Sequence, residues 1–132
     1  MDTPNFAGGP VEARAALSTA SPARDGSGGT VQMVAAQTNG IRIDKIRVQA
    51  MGGTVEGCVR IFMVKTAGPV RTLVAEVPVA PTAPAATAAA WWCVLDSASD
   101  SRLPIVLPPG HELHVASHTA DAFQLSAVVG AF

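Results

Sequence analysis

Tyrosine is absent, cysteine occurs twice and histidine three times, and charged residues make up only 14% of the 132 positions. A soluble domain ordinarily carries about 25% charged residues. Either much of this surface meets other protein, or its polarity comes from Ser, Thr, Gln and Gly. The net charge is −1, with Lys and Arg interleaved among acids; lacking a basic face, the chain is not expected to bind nucleic acid directly. Apolar runs are broken by Arg60, Lys65, Arg71 and Glu76, well short of the roughly 20 residues of a membrane helix, and the N-terminus lacks the pattern of a signal peptide. The expectation is a protein without a membrane partner, made and kept in a reducing cytoplasm. Cys58 and Cys93 lie in apolar, strand-like runs, which suits buried free thiols; a disulfide would need their strands to be neighbours.

Catalytic signatures are missing too. There is no Gly-x-Ser-x-Gly elbow, no phosphate-binding glycine loop and no Cys-x-x-Cys pair. His111 and His114 face opposite sides of a strand, while His114 and His118 share a side but stand about 13 Å apart. The stretch Gly110-His111-Glu112-Leu113-His114 also fails the His-x-His spacing of cupin-type metal sites. Asp96 and Asp100 flank a serine-rich loop as turn formers. The reading is no enzyme, no metal and no cofactor.

What is present is a repeated strand grammar, clearest in Asn39-Gly40-Ile41-Arg42-Ile43-Asp44-Lys45-Ile46-Arg47-Val48-Gln49-Ala50. Ile41 and Ile43 alternate with Arg42 and Asp44, but the apolar set then moves to Ile46, Val48 and Ala50. Keeping both sets in one core needs an extra residue, a β-bulge near Asp44-Lys45. Strands follow over Val55 to Lys65, Val70 to Val79, Ala88 to Asp96, Leu103 to Leu107, His111 to His118 and Phe123 to Phe132, and one precedes at Thr30 to Gln37. In the strand Val55 to Lys65, Val55, Gly57, Val59, Ile61 and Met63 form a core side. Phe62 and Val64 on its other side call for cover by a neighbouring segment or subunit. Leu73, Ala75 and Val77 oppose Arg71, Val74 and Glu76. Pro78 to Ala86 is too proline-rich for a central strand and reads as a long crossing connection. Trp91 and Trp92 must point opposite ways, one to the core and one outward.

Eight strands at roughly ten-residue spacing, with one long crossover, predict an all-β, eight-stranded, jelly-roll-like β-sandwich over residues 30–132, with an immunoglobulin-like sandwich as runner-up. Residues 1–29, rich in Gly, Pro, Ser and Ala, read as a flexible N-terminal arm, with at most a helical turn between Pro10 and Leu17. Phe6, Val11 and Leu17, with Arg14, are its candidate anchors on a partner. On this reading, deleting residues 1–29 leaves the β-domain folded and weakens attachment. Self-association as a trimer or dimer is expected through Phe62, Val64 and one of Trp91 and Trp92.

The series Ile43 to Ala50, Gly57-Cys58-Val59-Arg60-Ile61-Phe62, Leu107-Pro108-Pro109-Gly110-His111-Glu112-Leu113, Ala122 to Ala127 and Gly130-Ala131-Phe132 resembles the capsid decoration, or cement, proteins of tailed bacteriophages. The resemblance covers about Ile41 to Phe132 and rests on strand and turn residues. It implies a homo-oligomeric virion protein on the outer capsid surface that binds across subunits of the major capsid protein and stabilises the shell. The alternatives are a tail or connector component and a carbohydrate-binding surface module using an exposed Trp.

Overall fold

The computed structural model describes residues 9–10, 13–65, 70–96 and 103–132. Among them are ten strands and no helix. The eight expected strands are all present: Val31–Val34 (β3), Ile41–Ala50 (β4), Gly57–Lys65 (β5), Arg71–Val79 (β6), Trp92–Asp96 (β7), Ile105–Leu107 (β8), His111–Ser117 (β9) and Phe123–Ala131 (β10). Two more, Gly9–Pro10 (β1) and Arg14–Leu17 (β2), come from the segment expected to be an arm. One sheet runs β1-β10-β4-β7, with β2 also on β10 and β8 also on β4; the other runs β3-β9-β5-β6. All of these strand pairs are antiparallel. The two sheets pack face to face as a β-sandwich.

The bulge lies where the change of apolar phase demands it. Along β4 and β10, Val128 pairs with Lys45 and Val129 with Ile43, so Asp44 is the residue without an opposite number. Ile41, Ile43, Ile46 and Val48 are consequently all fully buried. Across the core they join Val59 and Ile61 of β5 and Leu113 and Val115 of β9, while Phe123 and Leu125 of β10 lie beside them on the same sheet. The Asn-Gly turn before β4 depends on its glycine. Gly40 has φ +91°, and a Cβ there would meet the Leu107 carbonyl oxygen at 2.6 Å.

Several expectations are corrected. The boundary at residue 30 is not a boundary of the fold. Where a helical turn was conceivable, Arg14–Leu17 pairs with β10, Leu17 opposite Phe123 and Arg14 opposite Ser126, and Ala13 and Leu17 enter the core. Val55 is exposed, since strand β5 begins only at Gly57. Leu73 leaves the core side because a register shift between Ile61 and Phe62 places it opposite Phe62. Pro78 does lie in a strand, but β6 is a sheet edge, where a missing N–H is tolerated.

Phe62, Val64 and Ala116 face away from the main core and still are buried. The cover comes from the chain itself. Residues 18–30 cross the outer face of the four-stranded sheet: Ala20 bridges to Ser117, the Ser21 N–H donates to the Ser117 carbonyl at 2.8 Å, and Arg60 Nη1 donates to the Pro22 carbonyl at 3.0 Å. Further along, Thr30 Oγ1 and His114 Nδ1 are hydrogen-bonded at 2.8 Å and Arg71 Nε donates to Thr30 Oγ1 at 3.3 Å. Ser21 Oγ donates to the Gly29 carbonyl at 2.7 Å, closing the strap on itself. These anchors flank Phe62 on β5, β6 and β9.

Buried Arg60 is held by Glu76, which also takes Arg24 of the strap; the contacts are 3.1 and 2.9 Å. The Arg60 hydrogen bond, with the charges of Arg24 and Arg60, holds the Glu76 carboxyl below its usual range, although desolvation opposes this. A depressed folded-state pKa gives stability that is present above the unfolded carboxylate pKa and is lost as pH falls through the folded value. Denaturation midpoints measured from neutral to acid pH should fall less steeply in Glu76→Gln than in the native chain. Identical acid slopes would contradict the role of this carboxylate.

Candidate binding face

Because the strap covers one sheet, the surface that the described residues leave open is the outer face of the six-stranded sheet and the two ends of the sandwich. On that face the register sets side chains in rows across the strands. One row is Ala16, Gln124, Gln49 and Trp92; the next is Arg14, Ser126, Arg47 and Val94; a third holds Val128, Lys45 and Asp96. Small Ala16 and Ser126 stand among long neighbours, which leaves a shallow depression of about 540 Å³ lined by Arg14, Ala16, Arg47, Gln49, Gln124 and Ser126. Arg47 Nη2 donates to Gln49 Oε1 at 3.1 Å, and its guanidinium carbon lies 6.0 Å from the Trp92 ring centre. Gln49 Nε2 donates to the carbonyls of Ala50 and Trp91, so the amide that positions Arg47 is itself fixed.

Two ion pairs also lie on this face: Lys45 with Asp96 at 3.2 Å and Arg42 with Asp44 at 2.8 Å.

A second open surface is the end of the sandwich built by residues 51–55 and 80–90. Thr54 and Thr82 exchange backbone hydrogen bonds at 2.9 and 3.1 Å, Thr54 Oγ1 donates to the Ala80 carbonyl at 2.7 Å, and Ala85 and Ala88 pair both ways. This stitching holds the loop in place with most of its Ala and Pro side chains exposed. Met51 and Val55, each 57% exposed, lie beside it. No charged residue occurs between Glu76 and Asp96.

The expected partner-binding residues divide. Phe6 and Val11 lie outside the described residues. Arg14 is exposed on the open face, whereas Leu17 belongs to the protein's own core. Phe62 and Val64 are buried, at 0% and 7% exposure, and offer nothing to a partner. Trp91 turns inward, edge-on to Phe123 with ring centres 6.1 Å apart, and Trp92 is 57% exposed. Cys58 and Cys93 are free, half-buried and on different sheets.

His111 contacts the Pro109 carbonyl, His114 lies against the strap and Glu112, and His118 is exposed. Among the described residues no group of His, Cys, Asp and Glu is placed to hold a metal ion. Nor does any helix there have the length and apolarity to cross a membrane. The sequence reading did not single out Arg47, Gln49, Gln124 and Ser126. Their signal was the polar alternation of β4 and β10, which becomes a site only once those strands are neighbours.

No family model, curated protein or solved structure matches the chain.

Proposed function

We propose that the protein is a structural component of a tailed-bacteriophage virion that decorates the capsid and stabilises it by binding across subunits of the major capsid protein. The sandwich is read as a jelly roll. Its strand order has consecutive strands passing repeatedly from one sheet to the other, joined by the long connection between β6 and β7. The observation that carries the proposal is the ordered, exposed end formed by Met51, Val55 and residues 80–90, in which the 80–90 segment carries no charge and the one carboxylate held against Val55, that of Asp121, accepts the Val55 N–H at 3.0 Å. Such a surface costs little desolvation to bury and packs closely against another protein. Binding only to assembled shell, at several subunits at once, stabilises that shell by mass action. Self-association as a dimer or trimer has to use surfaces other than Phe62 and Val64.

Both Met51 and Val55 are exposed, so Met51→Lys with Val55→Lys should leave the melting temperature nearly unchanged. Two buried charges at the contact should lower occupancy of undecorated shells by at least about tenfold, equivalent to 1.4 kcal/mol. Equal occupancy by the native and doubly substituted proteins in a sedimentation assay would rule this end out as the attachment surface.

A further inference from the structure

We infer that the segment from Val79 to Pro84 is a proline ridge that seats in a groove lined by aromatic side chains on the partner protein. It rests on the reading of this end of the sandwich as an attachment surface and adds what the partner must present there.

The sequence of the ridge is a tandem repeat, Val79-Ala80-Pro81 followed by Thr82-Ala83-Pro84. Each proline fixes its own φ at about −65° and steers the alanine before it away from helix toward extended backbone. Four of these residues, Ala80, Pro81, Ala83 and Pro84, are thereby biased toward the polyproline II conformation, which repeats every three residues.

Exposure follows that period. Val79 is buried and Thr82, three residues on, is half-buried, whereas the pairs Ala80-Pro81 and Ala83-Pro84 are exposed. A pleated strand would instead turn alternate residues outward and set Pro81 and Pro84 on opposite faces. At about 3.1 Å per residue the two prolines stand roughly 9 Å apart along one side of the segment.

The inward side is held in place. Thr54 and Thr82 exchange backbone hydrogen bonds at 2.9 and 3.1 Å, and the Ala80 carbonyl accepts from Thr54 Oγ1 at 2.7 Å and from Thr82 Oγ1 at 3.3 Å. A ridge ordered in this way has little conformational freedom left to lose on binding.

The partner's chemistry follows from the shape. Extended proline-rich segments dock into grooves walled by aromatic rings, and with no charged residue between Glu76 and Asp96 the ridge offers no ionic handle. A second copy of this chain does not supply such a groove: among the described residues Phe62 and Phe123 are buried, Trp91 and Phe132 are half-buried, and Trp92 is exposed alone. The occupant is therefore a different protein, which on the reading above is the shell.

Co-sedimentation of the full-length protein with undecorated shells tests this, with oligo-L-proline as competitor and a Gly-Ser peptide of equal length as control. Oligo-L-proline should displace the protein and the Gly-Ser peptide should not. Pro81→Ala with Pro84→Ala should weaken binding about tenfold with the melting temperature nearly kept, since both rings are exposed. Ala83→Lys, which retains both prolines and sets a long cation between them, should weaken binding as much, and it decides the matter if the proline variant loses stability. Failure of oligo-L-proline to displace the protein would overturn the ridge. So would native-like binding of these variants while Met51→Lys with Val55→Lys binds weakly, an outcome that leaves this end as the attachment surface. Native-like binding of all the variants, or no binding of the native protein to shells, would refute the attachment reading and this inference with it.

Discussion

Ile46→Asp should abolish cooperative folding, whereas deleting the single residue Asp44 should leave the protein cooperatively folded. Asp44 is the unpaired residue of the bulge between β4 and β10. Removing it leaves Ile-Arg-Ile-Lys-Ile-Arg-Val, an uninterrupted alternation that keeps Ile41, Ile43, Ile46 and Val48 on one face with Lys45 still opposite Val128 and Ile43 opposite Val129. The bulge is lost, together with the surface pair to Arg42, and such pairs contribute about 0–1 kcal/mol. Ile46 is fully buried; an Asp there loses the roughly 1.5–3 kcal/mol of the buried Ile and adds the cost of burying an unpaired carboxyl, against total stabilities of about 5–15 kcal/mol. Denaturant unfolding followed by tryptophan fluorescence distinguishes the two: loss of the cooperative transition in the Asp44 deletion would mean that the bulge itself, and not the apolar alternation it reconciles, holds the strand in register.

The second large effect concerns the N-terminal segment. A chain lacking residues 1–29 should be unfolded, or should melt at least about 15 °C below the intact protein. Leu17 fills the core opposite Phe123, and residues 18–30 cover Phe62 and supply the Pro22 carbonyl to buried Arg60. Losing burial of Leu17 and Phe62 costs about 1.5–3 kcal/mol each. The freed edge of β10 and the exposed Arg60 face add to this. At roughly 4 °C per kcal/mol for a domain of this size, 15 °C is a conservative expectation. Leu17→Ala alone should cost about 2–5 kcal/mol. A truncated chain melting with the intact one in scanning calorimetry would mean that the strap and β2 contribute nothing to the fold.

The contrast between these two features explains what the sequence makes legible. The bulge is written locally: Ile41 and Ile43 are odd-numbered, Ile46 and Val48 are even-numbered, and only one extra residue reconciles them. The adjacent tryptophans are equally local, since a strand must point them apart. Strand β2 is different. Ala13, Ala15 and Leu17 do alternate, but Arg-Ala-Ala-Leu has weak strand preference, and what fixes it extended is β10, more than 100 residues away.

The apolar outer face of β5 was legible as a surface needing cover, yet not the identity of its cover. The covering segment is Gly-, Pro- and Ser-rich and carries the composition of a linker. Its energy comes from specific contacts to Ser117, Arg60 and His114, not from its own pattern. The open face suffers the same limit, because Arg14, Ser126 and Arg47 lie on three strands distant in sequence and adjacent only in the folded sheet.

Locating the chain in a purified particle by electron cryomicroscopy tests the proposed function most directly. The account predicts copies of the sandwich on the outer capsid surface in fixed proportion to the major capsid protein, with residues 51–55 and 80–90 against the shell. Absence of the chain from the particle, or density for it only in the tail or connector, would contradict it.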